Sequence, residues 1–223
     1  MKRTKLCNRK LPDYTKGEEI MNMVTPIVVG ALAIAVLVLC VLRSASSGPA
    51  RSVVGSAIYG GSMVLLYCVS SVYHGLHPHT GKKVMQVIDH CTIYLLIAGT
   101  YTPILLTGFV PAYPWIGWGL LSAQWAMAAL AVTLTAIDLK KYTVFSMICY
   151  IGMGWGIIFF LKQAIDVMTL PGFYLLLSGG IAYTIGAMLY GIGSKKPWFH
   201  AVFHIFVVLG SLLQFLAIYL YLL

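Results

Sequence analysis

The chain is 223 residues long, 60% of them hydrophobic and only 9% charged, where a soluble domain carries about 25% charged residues; a water-soluble globular protein is excluded. A mean hydropathy of +0.88 fits a multi-pass membrane protein, and at about 20 apolar residues per crossing the length admits roughly seven or eight spans. The net charge of +9 does not indicate a nucleic-acid partner: six of the fifteen Lys and Arg fall in the first sixteen residues and most of the others in short loops, where basic residues anchor and orient membrane segments.

Residues 1–22 read as a basic tail on the cytoplasmic side, and 23–223 as an all-α integral membrane domain. No secretory signal is expected, because the basic stretch runs into Asp13-Tyr14-Thr15-Lys16-Gly17-Glu18-Glu19 rather than an apolar segment with a small-residue cleavage site. Apolar runs predict seven transmembrane helices at about 23–42, 53–74, 84–107, 115–137, 142–162, 171–192 and 198–222. The breaks between them carry turn residues and charge: Arg43 to Arg51, His77 to Lys83, Gly108 to Pro114 and Asp138-Leu139-Lys140-Lys141. Pro171 and Pro197 suit the first turns of helices. Pro103 falls inside the third span and should kink it. Gly152, Gly154, Gly156, Gly186 and Gly191 suit close helix–helix approach. The five cysteines are scattered without a C-x-x-C pair, so neither a disulfide framework nor a thiolate zinc site is indicated.

Loop charge sets the expected orientation. The tail and the second, fourth and sixth loops hold twelve Lys and Arg, and the other loops with the C-terminus hold three. The positive-inside rule then predicts a cytoplasmic N-terminus and an outside C-terminus.

That topology brings several polar residues to one depth. The second span ends in Ser70-Ser71-Val72-Tyr73-His74, the third opens with Asp89-His90, and the seventh opens with His200-Ala201-Val202-Phe203-His204. His200 and His204 stand at i and i+4, on one helix face, and so do Ser70 and His74. Three imidazoles with an open fourth position suit a catalytic metal. Asp89 would then orient a water or act as general base, with Ser70 hydrogen-bonded to it. A metal-free network of hydrogen bonds is the alternative that spacing leaves open. Imidazole also suits several divalent metals.

Neighbouring residues receive plainer readings. Asp89 and His90 point about 100° apart on a helix, so Asp89 is expected to face the site and His90 to pack against a neighbouring helix. His77 and His79 read as solvated loop residues. Asp138 and Asp166 fall at span ends, where capping roles are expected. Tyr113, Trp115, Trp198 and Tyr219 read as interfacial aromatics.

The runs Ser70 to His74, Asp89-His90-Cys91-Thr92-Ile93-Tyr94-Leu95-Leu96-Ile97-Ala98-Gly99-Thr100-Tyr101-Thr102-Pro103 and His200 to His204, together with Tyr14-Thr15-Lys16-Gly17-Glu18-Glu19-Ile20, resemble the hemolysin III proteins, the bacterial branch of the progestin and adipoQ receptor family. The resemblance covers nearly the whole chain. It implies a seven-helix fold with a cytoplasmic N-terminus, a zinc ion held by His74, His200 and His204, and Ser70 and Asp89 beside it. The family's eukaryotic receptors are similar to alkaline ceramidases, and its bacterial members are linked to membrane-lipid homeostasis. One departure is Thr25-Pro26, where family members often have Thr-His.

The leading functional expectation is a zinc-dependent hydrolase in the cell membrane, acting on a lipid amide or ester, with membrane lipids as its partners. The competing expectation is a receptor-like sensor of lipid or membrane state with a structural zinc. Pore formation is disfavoured, because no span has a hydrophilic face. A proton or ion transporter is disfavoured too, because only Asp89 lies well within a span.

Overall fold

The computed structural model describes residues 4, 6–193 and 196–223. Lys2, Arg3, Lys5 and Lys195, which enter the charge argument, lie outside the described residues. Among the described residues every regular element is helical.

Helix α1 spans Lys16–Ser47, starting seven residues before the expected crossing. The reason is local. Thr15 is its N-cap: the Glu18 N–H donates to the Thr15 hydroxyl, while the Thr15 N–H donates back to the Glu18 carboxylate at 2.9 Å. This reciprocal box satisfies two of the amides that open a helix and nucleates α1 within the polar stretch. Pro26 lies inside α1 without ending it. Helix α2 spans Ala50–Gly75 and turns Ser52, Ser56, Tyr59, Met63, Leu66, Tyr67, Ser70, Tyr73 and His74 inward, a stripe at helical spacing. It lies close against α1: a Cβ on Gly60 would fall 2.5 Å from the Leu37 Cα, so only glycine permits the approach.

Helix α3 spans Thr80–Pro103. Pro103 does not simply bend it. The helix widens into a π-helical turn over Ile104–Phe109 and ends in the short α4, Val110–Ala112. The hydroxyls of Thr100 and Thr102 donate to the carbonyls of Leu96 and Ala98 just before the proline, which satisfies these two buried hydroxyls within their own helix. Helix α5 spans Pro114–Ile137, with Pro114 in its first turn. Helix α6, Thr143–Trp155, passes through a 3₁₀ turn at Gly156–Phe160 into α7, Leu161–Gly193. Thr169 interrupts α7 with φ 63° and ψ 164°. Helix α8 spans Phe199–Tyr221. Pro197, expected in its first turn, precedes its N-cap Trp198 instead.

Among the described residues, six helical runs are long and apolar enough to cross a membrane; α6 and α7 form one of them, Thr143–Gly191. The chain is a multi-pass integral membrane protein. Helices pack in sequence, α1 on α2, α2 on α3, α3 on α5, α6 on α7 and α7 on α8, and α8 returns to α1. Helix α3 is the most enclosed crossing. The start of α1, the end of α2 and the starts of α3 and α8 meet at one end of the bundle.

Candidate metal centre

The start of α8 is fixed from a distance. Trp198 adopts a left-handed conformation (φ 68°), which for a residue with a Cβ costs on the order of 1 kcal/mol. Its N–H donates to Glu18 Oε1 at 2.6 Å, and a hydrogen bond to a charged group contributes about 1.5–3 kcal/mol. The carboxylate that closes the cap of α1 therefore also anchors the first turn of α8. His200 and His204 follow on one face.

All three predicted histidines converge. His200 Nε2 lies 3.2 Å from His74 Nε2 and 3.2 Å from His204 Nε2. No pair of ligand atoms in the group is more than 4.8 Å apart, and all three side chains are buried. His74 Nδ1 faces Glu19 Oε2 at 3.0 Å. Because a carboxylate only accepts, His74 carries its proton on Nδ1 and presents a lone pair at Nε2. Glu19 is held in turn by Lys82, whose Nζ donates to Oε1 at 2.6 Å.

Hydrogen bonding alone satisfies this geometry poorly. His200 Nε2 has one in-plane position, either a proton or a lone pair, and two nitrogens at 3.2 Å. It can serve one of them, not both. One cation at the meeting point satisfies all three lone pairs. With metal–nitrogen bonds of about 2.0–2.1 Å, a tetrahedral zinc site separates its nitrogens by roughly 3.3–3.4 Å, close to what is seen. A carboxylate behind the non-ligating nitrogen of a histidine is also the usual support of such a ligand. His74, His200 and His204 thus form a group fit to hold a metal ion.

Ser70 and Asp89 join this centre. The Ser70 hydroxyl hydrogen-bonds the Asp89 carboxylate. Both line a largely apolar cavity of ≈ 160 Å³ together with His200, His204 and Tyr190. His90 borders the cavity too, so the adjacent pair is not split as cleanly as the 100° rule suggests. It is also fastened to α7, with Nε2 2.9 Å from the Tyr190 hydroxyl and Nδ1 2.8 Å from the Gln86 carbonyl. His77 and His79 are exposed, and His79 Nδ1 caps α3 by accepting the Lys82 N–H. Asp138 accepts the N–H groups of Thr4 and Lys141, and Asp166 accepts the Tyr113 hydroxyl at 2.6 Å.

Four participants were not singled out by spacing: Tyr14, Glu18, Glu19 and Lys82. Tyr14 stacks on His200, centroids 5.1 Å apart at 29°. Burial pushes its hydroxyl well above the ordinary tyrosine value, and the nearby Tyr190, Glu19, Asp89 and Glu18 push the same way; the phenol stays neutral. Lys82, expected in a solvated turn, is buried against Glu19 with its ammonium 5.6 Å from the Tyr73 ring. The available signal was topological: the start of the first span and the end of the second lie at the same membrane face.

The chain matches a family model described as "Haemolysin-III related" over residues 14–215. It is 38% identical to "Hemolysin-3" of Bacillus cereus over 92% of each chain. It is 36% identical to "Hemolysin-3 homolog" of Bacillus subtilis (strain 168), over 93% of this chain and 96% of the relative. A more distant similarity, 28% identity over 74% of this chain and 69% of the relative, is to the "Monocyte to macrophage differentiation factor" of Homo sapiens.

Proposed function

The chain belongs to the haemolysin-III related family, and from that premise we propose that it is a zinc-dependent hydrolase of the cell membrane, acting on an amide or ester of a membrane lipid and serving membrane-lipid homeostasis. The observation that carries this reading is the meeting of three imidazole Nε2 atoms at the wall of an apolar cavity that also holds Asp89. His74, His200 and His204 would hold the zinc. When bound, zinc supplies Lewis acidity toward a carbonyl and toward water. Glu19 keeps the His74 proton on Nδ1 and the ring aimed at the centre. The Ser70 hydroxyl orients the Asp89 carboxylate, which takes up a proton from water in the cavity and returns it to the leaving group. Leu66, Ile97, Phe203 and Val207 line the space for an acyl chain and keep bulk water out.

The same reading includes seven crossings. A helix over Thr143–Gly191 would be about 70 Å long, more than twice the roughly 30 Å hydrocarbon core. We take it to cross twice, reversing at Thr169, where the backbone leaves helical geometry just ahead of Pro171. With the basic loops inside, the N-terminus is cytoplasmic, the C-terminus outside, and the histidine centre near the cytoplasmic face.

The test is metal analysis with lipid turnover. Wild type should carry one zinc per chain and cleave an amide- or ester-linked lipid. His200→Ala should lose both, and Asp89→Asn should keep the metal while losing about 10²–10⁴ in rate. The three-way fastening of Tyr14, Glu18 and Glu19 around the histidines also favours a second reading, a lipid-state sensor with a structural zinc. In that case chelation lowers the melting temperature while no lipid in a broad panel is altered. Pore formation would show as dye release from liposomes at low protein-to-lipid ratio. The largely apolar lining of the central cavity argues against that outcome.

A further inference from the structure

A second cavity, of ≈ 350 Å³, lies under the described part of the N-terminal segment. It is bounded by Arg9 and Lys10 from that segment, Gln86 and His90 from α3, and Lys140 from the loop between α5 and α6. The Thr4 N–H donates to Asp138 at 2.7 Å and holds the segment down over it. Arg9 is the unusual member. Its side chain is 8% exposed, yet its Nε and Nη1 have no hydrogen-bond partner. A guanidinium stays charged under all ordinary conditions, and leaving its donors unpaired in a buried site is costly. Asp138 attracts it but is already engaged by the backbone N–H groups of Thr4 and Lys141. The nearby His90 is bonded to Tyr190 and to the Gln86 carbonyl, and Asp89 to Ser70. The exposed Lys10 and Lys140 add two more cations.

Three cations around one cavity, one of them buried with free donors, call for an anion with several oxygens. A carboxylate would occupy the fork of Arg9 and leave the lysines idle; a phosphate can engage all three. The cavity also shares a wall, His90, Met147, Tyr150 and Tyr190, with the apolar cavity at the histidine centre. His90 Nε2 lies 2.9 Å from the Tyr190 hydroxyl within that wall, so the two cavities are neighbours divided by it.

We propose that this second cavity is a phosphate-binding site for the headgroup of an anionic phospholipid, held by Arg9, Lys10 and Lys140.

The experiment is equilibrium binding of radiolabelled short-chain phosphatidic acid to the full-length protein in uncharged detergent. Competitors are inorganic phosphate, diacylglycerol of the same chain length and a fatty acid. Saturable binding to wild type should weaken about tenfold or more in Arg9→Gln, the loss expected for a charge-assisted hydrogen bond. The exposed double variant Lys10→Gln/Lys140→Gln should also bind more weakly, with an unchanged melting temperature and metal content. His200→Ala should lose metal and keep phospholipid binding, so an absence of hydrolysis leaves this proposal standing. Equal binding by wild type, Arg9→Gln and the lysine double variant would overturn it. So would displacement by diacylglycerol or fatty acid as readily as by phosphatidic acid. Inorganic phosphate competing as well as the lipid would overturn the headgroup assignment and make free phosphate the ligand.

Discussion

Glu19 stands one hydrogen bond behind the histidine cluster, and its effect there is electrostatic. By accepting from His74 Nδ1 at 3.0 Å it fixes the tautomer that leaves Nε2 free, and it makes that nitrogen a stronger donor toward a cation. Glu19→Gln keeps the shape but removes the charge, and metal affinity should fall about 10–100-fold, measured by competition with a chelator. Unchanged affinity would mean that Glu19 serves only to hold Lys82. The three histidines, Ser70 and Asp89 were legible from spacing, because i and i+4 positions on two helices and a loop-charge topology suffice to bring them together. Glu19 and Lys82 were not. In sequence both look like ordinary charges flanking a span, and only the packing of α1 against α2 and α3 turns them inward.

At the level of the element, the first turn of α1 has two tasks. It caps its own helix and fastens the start of α8 through the 2.6 Å bond from the Trp198 N–H to Glu18. Thr15→Ala removes the cap alone and should cost about 1 kcal/mol. Glu18→Ala keeps the bond from the residue-18 N–H to the Thr15 hydroxyl but removes the carboxylate half of the box and the fastening together, so its melting temperature in detergent should fall further than that of Thr15→Ala. Its metal affinity should fall as well, because the helix carrying His200 and His204 loses its anchor. Equal melting temperatures for the two variants would show that the bond to Trp198 contributes nothing. Hydropathy located the helical runs, but the two spans expected at 142–162 and 171–192 fall in one run, Thr143–Gly191, and the early start of α1 was not readable. Hydropathy sees the apolar run, whereas the capping box that begins the helix sits in the polar segment before it. The π-helical turn after Pro103 was hidden for a related reason: the sequence marks where a hydrogen bond is lost, not how the following turn is wound.

For the whole molecule, the number of crossings depends on Thr169. If the run Thr143–Gly191 reverses there, the two termini lie on opposite faces of the membrane. Reporter tags at the N- and C-termini should then label from opposite sides of sealed vesicles. Labelling from the same side would reduce the count to an even number. Composition settled the class of this molecule, and basic loops its expected orientation. What composition could not supply was how the last helix meets the first, since no sequence pattern records a contact between residues 18 and 198. That contact has a consequence for synthesis. His74 is made early, but His200 and His204 belong to α8, which leaves the ribosome after the other helices described above. The histidine cluster therefore closes only when α8 has docked beside α1. On the metal reading proposed above, uptake of the ion follows that docking, and by binding only the folded state the ion separates fully inserted molecules from those stalled on the way.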